Sequence, residues 1–568
     1  MSVEKLKAEV ERVLREMGAP DAHPVALERP RNPEHGDWAT NVALTLARPL
    51  SRKPREIADE LARRIDAAAA GVSAVEVAGP GFINFRLAAD YLQQGLAAIL
   101  AAGDGWGRSE AGRGQPVNVE FVSANPTGPL HIGHGRQAAL GDAIAELLAW
   151  AGWKAHREFY YNDAGEQINR LTESVWARYQ QQLGVDAPFP EAGYRGTYIT
   201  EIARELAAQV GDRLKGDDSP GAMDEVRRFA VARLREEQNR DLDGFRVRFD
   251  HFFLESSLYT SGKVEETIRR LRETGHVYEH DGAVWLRTTE FGDDKDRVMV
   301  KSSGFPTYFL PDVAYHLDKW ERGFHRAINV QGSDHHGTVA RVRAGLRALG
   351  LPEGYPEYVL HQMVLAMRGG QEVKQSKRAG DFISLRELYD EVGVDVARFF
   401  FLMRRPDSQL TFDIDLALDQ SDKNPVYKVQ YAHARMSSIF RRAGVEAGRI
   451  DPSSADLSLL GHESEAELVK LLLRFPEEVA TAAERHTPHA VCEYLEAVAG
   501  AVNSWYHAGN REPELRVIGD RVPPELTRAR LVLARAVQVV LRNGLAVLGI
   551  AAPERMEREV DELSLETV

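Results

Sequence analysis

The stretch from residue 117 to residue 153 reads VNVEFVSANPTGPLHIGHGRQAALGDAIAELLAWAGW, and it decides the fold. Val117, Val119 and Phe121 form a short run typical of a β-strand, and Asn125 and Gly128 follow it as turn-forming residues. Apolar side chains then recur at helical spacing, at positions 140, 144, 147 and 148. A strand, a turn and a helix in this order predict the opening unit of an α/β nucleotide-binding fold.

Working outward from this unit, the chain indicates three regions. Residues 1–112 combine helical patterns with the strand-like GFINFRL, which predicts a small α+β domain. Residues 113–418 are expected to form the α/β domain, with an insertion near 170–295 and with RAINVQG and EYVLHQMVLAM returning the chain to the sheet. Residues 419–568 have helical spacing almost throughout, which predicts a terminal helix bundle.

Composition describes a large globular chain. Its 568 residues are too many for one core, and 43% hydrophobic with 27% charged residues is typical of globular proteins. No apolar run reaches the roughly 20 residues of a membrane helix. The Glu-rich start lacks signal-peptide character, so a cytoplasmic protein without a membrane partner is expected. The single Cys492 excludes a disulfide framework or a cysteine-rich zinc site, and the net charge of −14 leaves room for a local basic face.

The turn before the helix carries the first candidate site, His131-Ile132-Gly133-His134. A helix N-terminus presents N–H groups that suit a phosphate, and Gly133 allows a nucleotide close to the backbone. The imidazoles of His131 and His134 can donate hydrogen bonds to phosphoryl oxygens as charge develops on them. Two purely structural histidines are the alternative.

A second candidate phosphate-binding segment is GGQEVKQSKRAG, residues 369–380. Lys374, Ser376 and Lys377 offer two cations and a hydroxyl to the β and γ phosphates of ATP, and flanking glycines would let the loop move. A solvated basic turn would have the same composition.

Together the two motifs resemble the signatures of class I aminoacyl-tRNA synthetases, usually written HIGH and KMSKS. The second departs from the pattern at Gln375, where Met is usual, and ends in Arg378. EFVSANPTGPLHIGHGR, KSSGFPTYFLPDVAYH, GSDHH and NPVYKVQYAHAR are each similar to stretches of bacterial-type arginyl-tRNA synthetases, so the likeness spans nearly the whole chain. It implies a Rossmann-type catalytic domain with an insertion, an N-terminal α+β domain and an all-α anticodon-binding bundle. It also implies that the chain activates arginine with ATP and transfers it to arginine tRNA.

The expected arginine pocket follows from the chemistry of a guanidinium, which a carboxylate binds best in bidentate geometry with aromatic or hydroxyl help. Tyr308 and Asp312 are four residues apart, so both can face one pocket if a helix begins near Pro311. The resemblance gives them the substrate side chain, and gives Tyr315 the same role more weakly. A helix-terminal acid and a core aromatic are the alternatives for Asp312 and Tyr308.

The resemblance also assigns the rest of the substrate. Glu120, Ser123 and Asn125 are expected to hold the α-amino and carboxylate groups of arginine, with a charged strand edge and a turn former as alternatives. Asp334 and His335, in GSDHH, are expected to approach the substrate or the ATP ribose. No metal site of the protein's own is expected there or elsewhere, and Mg²⁺ is expected only together with ATP.

Contacts with adenine and tRNA are assigned in the same way. Met363 and Val364 are expected to meet adenine, although an ordinary buried strand explains them equally well. The residues expected to contact tRNA lie in two regions: Phe82 and Asn84 in the N-terminal domain, and Tyr427, Tyr431 and Arg435 in the helix bundle. Each of the three bundle residues could instead belong to the core of the bundle. A monomer without zinc is the family expectation.

Three other functions compete with this interpretation. A cysteinyl or methionyl synthetase would keep the class, but a zinc-thiolate site needs more than one cysteine. A tRNA-binding protein without catalysis would have no need of both phosphate motifs. A small-molecule nucleotidyltransferase would not carry a helical tRNA-binding tail. The sequence leaves open the base for the transfer step and the effect of Gln375.

Overall fold

The computed structural model describes residues 2–20, 23–30, 32–163, 165–373 and 383–556. The chain divides into two compact units, and each takes its described residues from three segments. The first draws on Met1–Trp106, Met436–Arg474 and Gly500–Val540, and the second on Gly107–Arg435, Phe475–Ala499 and Leu541–Val568. Across the described ranges no helix has both the length and the apolar character that crossing a membrane requires.

The N-terminal segment of the first unit combines helices with a three-stranded antiparallel sheet. The strands lie in the order β1 (Trp38–Thr40), β3 (Phe82–Leu87), β2 (Val72–Ala78). Its core includes Leu6, Val10, Trp38, Ile57 and Phe85, all of them buried. This confirms the α+β character predicted from sequence. The elements are α1 (Ser2–Glu16), β1 (Trp38–Thr40), α2 (Val42–Leu46), α3 (Pro54–Arg64), α4 (Ala67–Ala70), β2 (Val72–Ala78), β3 (Phe82–Leu87) and α5 (Ala89–Ala102).

The second unit is built on a five-stranded parallel sheet with helices on its faces, which confirms the α/β class. The elements from residue 107 to 418 are β4 (Pro116–Glu120), α6 (Ile132–Trp150), β5 (Lys154–Tyr161), α7 (Glu166–Gln182), α8 (Thr197–Val210), α9 (Pro220–Gly244), β6 (His251–Leu254), α10 (Glu255–Thr260), α11 (Lys263–Glu273), β7 (Val277–His280), β8 (Ala283–Leu286), β9 (Arg297–Val300), α12 (Phe309–Glu321), β10 (Ala327–Gly332), α13 (His336–Ala348), β11 (Glu357–His361), β12 (Val364–Arg368), β13 (Gln371–Glu372), α14 (Leu385–Val392), α15 (Val394–Leu402), β14 (Leu410–Asp413) and α16 (Ile414–Leu418).

The C-terminal part is helical, as the spacing of its apolar residues predicts. Its α-helices are α17 (Pro425–Ala443), α18 (Glu463–Leu473), α19 (Phe475–Arg485), α20 (Pro488–Arg511) and α21 (Pro524–Val547). Short 3₁₀ turns punctuate the chain at Pro33–His35, Gly103–Gly105, Thr288–Phe291, Ser333–His335, Ala447–Arg449, Pro452–Ser454, Leu457–Leu459 and Pro513–Leu515.

Strand order in the parallel sheet places the functional region. The order is β11-β10-β4-β5-β6, with every pairing parallel. From β4 the chain moves outward to β5 and β6, and then returns to add β10 and β11 on the other side of β4. The direction of strand addition therefore switches between β4 and β10. In open α/β sheets, ligands bind beyond the carboxyl ends of the strands at such a switch point.

Close packing of α6 on β4 depends on glycine. A Cβ at Gly141 would lie 2.0 Å from the Cγ of Phe121, which follows β4, and a Cβ at Gly135 would lie 2.7 Å from Leu385 Cδ1. A larger side chain at Gly141 would push α6 away from the end of β4, and one at Gly135 would push it away from α14.

Two segments differ from their sequence-based expectations. Strand β6 pairs with β5 in the main sheet, although it lies inside the stretch predicted as an insertion. Strand β12, from the segment expected to rejoin the main sheet, instead forms a separate three-stranded sheet of order β13-β12-β14. The apolar pattern of VLAM indicates burial in a strand but carries no information about which strand lies beside it.

Candidate active site

A cavity of about 1040 Å³ lies at the carboxyl ends of β4 and β10. Its wall contains all thirteen described residues that the sequence predicted for arginine and ATP: Glu120, Ser123, Asn125, His131, Gly133, His134, Tyr308, Asp312, Tyr315, Asp334, His335, Met363 and Val364. These residues come from five separate segments of sequence, and the structure brings them together. The predicted ligands Lys374, Ser376 and Lys377 lie outside the described residues.

The His131–His134 turn is a preorganised group of donors. His131 is the N-cap residue of α6, and its Nδ1 accepts hydrogen bonds from the N–H groups of Gly133 (3.1 Å) and His134 (3.4 Å). The Nδ1 of His134 accepts from the N–H of His131 (3.3 Å), and the two rings stack at 3.8 Å. Because both Nδ1 atoms are acceptors, each neutral ring carries its proton on Nε2. The turn therefore presents two Nε2–H donors in the cavity wall.

Gly133 is required by the geometry of this cap. A Cβ at this position would lie 2.9 Å from Cε1 and 3.0 Å from Nδ1 of the His131 ring. A side chain would displace the imidazole from the capping position. The small residue thus serves the histidine geometry as well as the approach of a ligand.

Glu120 ends β4 and is held by the residues around it. Its Oε2 accepts a hydrogen bond from Lys319 Nζ at 2.6 Å, and its Oε1 accepts from Ser123 Oγ at 3.0 Å. Ser123 Oγ also accepts from the N–H of Tyr160 (3.2 Å). Val122 and Ser123 have positive φ values of 66° and 41°, a costly conformation for residues that are not glycine. The strained backbone of this turn allows the hydroxyl of Ser123 to reach the carboxylate of Glu120.

Asn125 lies farther along the same turn. Its Nδ2 donates to Gln167 Oε1 at 2.8 Å, and its carbonyl oxygen accepts from Gln238 Nε2 at 3.2 Å. Asn125 also lines the cavity. These contacts fix the orientation of the amide.

Tyr308 and Asp312 lie on the first turn of α12, which begins at Phe309, close to the predicted start. Burial raises the pKa of Asp312 to about 7; the positive charge of Arg341 opposes this rise, and the negative charges of Glu255 and Glu120 add to it. Among the described residues, no hydrogen bond or ion pair reaches the Asp312 carboxylate. The Tyr308 side chain is 74% exposed, which excludes the core-aromatic alternative for it.

Glu255 is a second cavity carboxylate that sequence reasoning missed. It begins the short helix α10, and its Oε2 accepts a hydrogen bond from Tyr160 OH at 2.9 Å. Burial raises its pKa, the bond from Tyr160 opposes this, and the charge of Asp163 adds to it. Within the described ranges it has no cationic partner. Two half-buried carboxylates of raised pKa, without an ion-pair partner in the described part of the chain, indicate a site for a positively charged ligand.

Tyr315 lines the cavity through its ring, while its hydroxyl is committed elsewhere. The hydroxyl donates to Glu158 Oε1 at 2.7 Å, and Arg322 binds the same carboxylate through two hydrogen bonds of 2.6 and 2.9 Å. Burial works to raise the pKa of Glu158, but the hydrogen bonds and charges of these partners outweigh it and lower the pKa to about 2. Tyr315 therefore offers a ligand an aromatic face rather than a hydroxyl.

A buried series of hydrogen bonds joins Glu120 to Asp312. Lys319 donates to Glu120 and to Asn329 Oδ1 (3.1 Å). Asn329 Nδ2 donates to His316 Nε2 (2.5 Å), and His316 Nδ1 donates to the carbonyl oxygen of Asp312 (2.8 Å). Burial lowers the pKa of His316 to about 4, so its ring is neutral with the proton on Nδ1. Each of the four side chains in this series of hydrogen bonds is thereby bonded to its neighbour.

The opposite side of the cavity contains the remaining predicted residues. Asp334 and His335 form a 3₁₀ turn after β10 and are largely exposed. Met363 is 74% exposed, which makes it an apolar surface in the cavity wall, whereas Val364 is buried. Sequence reasoning missed His361, whose buried Nε2 has no hydrogen-bond partner in the described part of the chain. Burial lowers its pKa to about 4.

The residues predicted to contact tRNA differ in exposure. Phe82 is 42% exposed at the start of β3, whereas Asn84 is buried. On α17, Tyr427 is buried and stacks at 5.9 Å on the half-buried Tyr431, and the guanidinium of Arg435 lies 4.8 Å above the Tyr431 ring. Phe82 and the Tyr431–Arg435 pair are thus the members of this set that a nucleotide could reach.

A potential metal-binding cluster lies outside the cavity. The side chains of His156, Glu158 and His251 place one ligand atom each within 4.8 Å of one another. The Asp334–His336 group considered from sequence is not such a cluster among the described residues. The two histidines are 95 positions apart, so they do not form the short-spaced motif by which a metal site is recognised in a sequence.

Comparison with known proteins matches the chain along most of its length. Residues 4–87 match the family "Arginyl tRNA synthetase N terminal domain", residues 96–408 match "tRNA synthetases class I (R), catalytic domain" and residues 429–556 match "DALR anticodon binding domain". The arginine–tRNA ligase of Geobacter metallireducens is 54% identical over 545 residues, covering 94% of this chain and 95% of that protein. The arginine–tRNA ligase of Methylibium petroleiphilum is 52% identical over 556 residues, with coverage of 95% and 97%.

Solved structures give the same result at the level of the fold. The arginyl-tRNA synthetase of Thermus thermophilus superimposes with a TM-score of 0.76 at 27% identity, covering 98% of this chain and 100% of that one. The methionyl-tRNA synthetase of Mycobacterium tuberculosis gives a TM-score of 0.52 at 14% identity, covering 78% and 92%. At that identity the second likeness concerns the fold alone.

Proposed function

The chain belongs to the arginyl-tRNA synthetases, and from this premise we propose how its cavity binds arginine and ATP. The enzyme is an aminoacyl-tRNA ligase. It activates arginine with ATP, releasing pyrophosphate, and transfers the arginine to its tRNA for protein synthesis.

The pair of carboxylates, Asp312 and Glu255, carries the assignment of the guanidinium end. Both lie in the cavity wall, and neither has an ion-pair partner among the described residues. A guanidinium spreads one positive charge over five N–H donors in a plane, so it can hydrogen-bond two carboxylates at once. The compact ammonium of lysine offers three donors and cannot reproduce this planar arrangement. Tyr308 and the ring of Tyr315 would flank the guanidinium.

The α-amino and carboxylate end of arginine belongs at the end of β4. Glu120 would accept from the ammonium, with Ser123 and Asn125 completing the contacts. Lys319 neutralises part of the charge of Glu120 and fixes its position, because the pair is buried and bonded at 2.6 Å. With both ends held, the substrate carboxylate points toward the His131–His134 turn.

ATP would occupy the side of the cavity formed by α6, the 3₁₀ turn after β10 and Met363. The Nε2–H groups of His131 and His134 would donate to the phosphates at the N-terminus of α6. Asp334 and His335 would approach the ribose, and Met363 and Val364 would meet adenine. Mg²⁺ would enter as the complex with ATP.

Activation then follows as an in-line displacement. An oxygen of the arginine carboxylate attacks the α-phosphorus, the bond from that phosphorus to the β-bridging oxygen breaks, and pyrophosphate leaves with its electron pair. The two histidines stabilise charge on the transferring group. Lys374, Ser376 and Lys377, which lie outside the described residues, would neutralise the leaving pyrophosphate. A hydroxyl of the terminal adenosine of tRNA, expected to be the 2′-hydroxyl, then attacks the adenylate carbonyl. The bond from the carbonyl carbon to the phosphate oxygen breaks, AMP leaves with its electron pair, and the hydroxyl proton is released.

Recognition of tRNA is proposed for both ends of the chain. Phe82, supported by Asn84, would contact a loop of the tRNA body, and Tyr431 with Arg435 would stack on an unstacked anticodon base, with Tyr427 behind them. The functional division of the chain into 1–112, 113–418 and 419–568 is part of the same proposal. So are a monomeric state and a cytoplasmic location.

The test is ATP–pyrophosphate exchange with arginine, lysine, cysteine or methionine, each with and without arginine tRNA. Of the four amino acids, only arginine is expected to support exchange, and only when tRNA is present. Asp312→Asn should slow it roughly 10- to 150-fold at subsaturating arginine, the effect of losing a charge-assisted bond of about 1.5–3 kcal/mol, whereas Asp281→Asn, a change at an 88% exposed acid, should leave it intact. Exchange with another amino acid would refute the substrate assignment. Tight tRNA binding without exchange would indicate a binding protein that has lost catalysis.

A further inference from the structure

Three potential metal ligands lie on one face of the parallel sheet, beside the cavity. His156 and Glu158 are two residues apart on β5, so their side chains point to the same face of the sheet. Strand β6 is paired so that His251 lies directly beside Glu158. The Nε2 of His156 lies 3.8 Å from Glu158 Oε2, and the Nδ1 of His251 lies 3.9 Å from the same oxygen.

Both distances are too long for hydrogen bonds, so the two imidazoles surround Oε2 without bonding to it. No hydrogen bond from either ring to another described residue is found. His156 is held in place by stacking on Phe324, with a ring separation of 5.0 Å, and its side chain is 30% exposed. The His251 side chain is 40% exposed and packs against Phe253. The positions of both rings are therefore set by neighbouring aromatics, while their nitrogens face solvent and one carboxylate oxygen.

The carboxylate has one acceptor position left. Glu158 Oε1 accepts from Tyr315 OH and from Arg322 Nη2, which uses both of its lone pairs. Oε2 accepts from Arg322 Nη1 at 2.6 Å and retains one lone pair. The same oxygen lies 3.8 Å from His156 Nε2 and 3.9 Å from His251 Nδ1.

These separations fit a coordination shell. Nitrogen and oxygen ligands about 2.0–2.1 Å from a tetrahedral ion lie about 3.4 Å from one another. The two nitrogen–oxygen distances of 3.8 and 3.9 Å exceed this by a few tenths of an ångström, and all three ligand atoms lie within 4.8 Å of one another, so rotation of the two partly exposed rings would close the shell. We propose that His156 Nε2, Glu158 Oε2 and His251 Nδ1 bind one transition-metal dication, with solvent in the fourth position.

The chemistry of the ligands selects the class of ion. Two imidazoles and one carboxylate suit Zn²⁺, Co²⁺ and Ni²⁺, whereas Mg²⁺ and Ca²⁺ require mostly oxygen ligands. The guanidinium of Arg322 lies next to the ligand oxygen and repels a dication, so binding is reversible and weaker than at a structural zinc site. The site is separate from the substrate cavity, although Tyr315 contacts both. The proposal does not depend on the roles assigned to the cavity residues.

The experiment titrates the full-length, tag-free protein with Co²⁺ and follows the visible absorption bands of the bound ion, then displaces it with Zn²⁺. The expected result is one reversibly bound equivalent, insensitive to millimolar Mg²⁺. His156→Gln and His251→Gln should each weaken binding by more than the 10–100-fold typical of losing a partner outside the coordination shell. Both side chains are partly exposed, so neither change should disturb folding.

The matched control is His280→Gln, because His280 is an exposed histidine 3.3 Å from an aspartate and lies outside the cluster. Its affinity for Co²⁺ should equal that of the unchanged protein. Absence of Co²⁺ and Zn²⁺ binding to the unchanged protein would overturn the proposal. Equal affinity in the His156 and His251 variants would also overturn it, since the ion would then be bound elsewhere.

Discussion

Replacing Asp312 with Asn should stabilise the ligand-free protein and at the same time weaken arginine binding. The carboxyl group is buried without a cationic partner among the described residues, and its pKa is raised to about 7. In the proposed complex, the guanidinium of the substrate supplies the missing positive charge. One substitution therefore separates the cost of keeping the charge in the empty site from its benefit in the complex.

The effect on stability has a definite sign. The ordinary pKa of this group is 3.8, so between about pH 4 and pH 7 the folded protein holds a proton that the unfolded chain has lost. The free energy of unfolding then falls as the pH rises, and the full cost is present above pH 7. A difference of about three pKa units at about 1.4 kcal/mol each sets an upper limit of about 4 kcal/mol. Asp312→Asn should remove this cost at pH 8 and change little below pH 4.

The effect on binding has the opposite sign. With a pKa of about 7, the carboxyl group is mostly ionised at pH 8 and roughly one-tenth ionised at pH 6. Because the guanidinium needs the ionised form, the KM for arginine should rise about tenfold between pH 8 and pH 6. In Asp312→Asn this pH dependence should disappear. Losing a charge-assisted bond worth about 1.5–3 kcal/mol should raise the KM roughly 10- to 150-fold at pH 8.

Two assays check the pair of effects. Thermal unfolding without substrates at pH 8 and pH 5 measures the stability difference, and aminoacylation between pH 6 and pH 8.5 measures the KM for arginine. Asp281→Asn serves as the control, because this acid is 88% exposed. An Asp312→Asn protein that unfolds more readily than the unchanged protein at pH 8 would refute the reasoning about the buried charge. A flat KM for arginine between pH 6 and pH 8 would refute the proposed pairing.

Three further outcomes are expected. Glu255→Gln should raise the KM for arginine with little change in that for ATP, and it should shift the pH dependence of the arginine KM to lower pH, because the charge of Glu255 raises the pKa of Asp312. His131→Asn keeps a good N-cap residue but removes a donor, so pyrophosphate exchange should slow by about 10²–10³ while the unfolding temperature stays near that of the unchanged protein. Gly141→Ala should strongly reduce soluble yield and unfolding temperature, since its Cβ would lie 2.0 Å from a core phenylalanine; Gly221→Ala, on a helix with open space around it, should be neutral or stabilising by about 0.5–1 kcal/mol.

Local signals in the sequence were sufficient for the core of the site. The strand, the turn and the helix at residues 117–153 appear as β4, the His131–His134 turn and α6. This succeeds because burial periodicity, turn residues and capping act over a few positions. The spacing of Tyr308 and Asp312 places both in one cavity for the same reason, since residues four apart share a helix face.

Long-range partners could not be predicted in this way. Lys319 bonds Glu120 across 199 positions, and no local pattern distinguishes a buried, paired lysine from a solvated one near a helix end. Glu255 was missed because it follows β6, a four-residue strand in the stretch predicted as an insertion. Once β6 is placed at the sheet edge beside β5, its carboxyl end brings Glu255 to the cavity. The missing information was the order of the strands.

The series of hydrogen bonds from Glu120 to Asp312 links the two ends of the proposed arginine site. Lys319 has only donors, so Asn329 must turn its oxygen toward it and its amide toward His316. His316 must then accept on Nε2 and donate on Nδ1, which fixes the carbonyl of Asp312 at the other end. Reversing any one member would place two donors or two acceptors against each other in a buried environment, at a cost of about 1–3 kcal/mol. The distance between Glu120, proposed to bind the ammonium, and Asp312, proposed to bind the guanidinium, is therefore held by matched hydrogen bonds. In the proposed complex this favours an amino acid of one length.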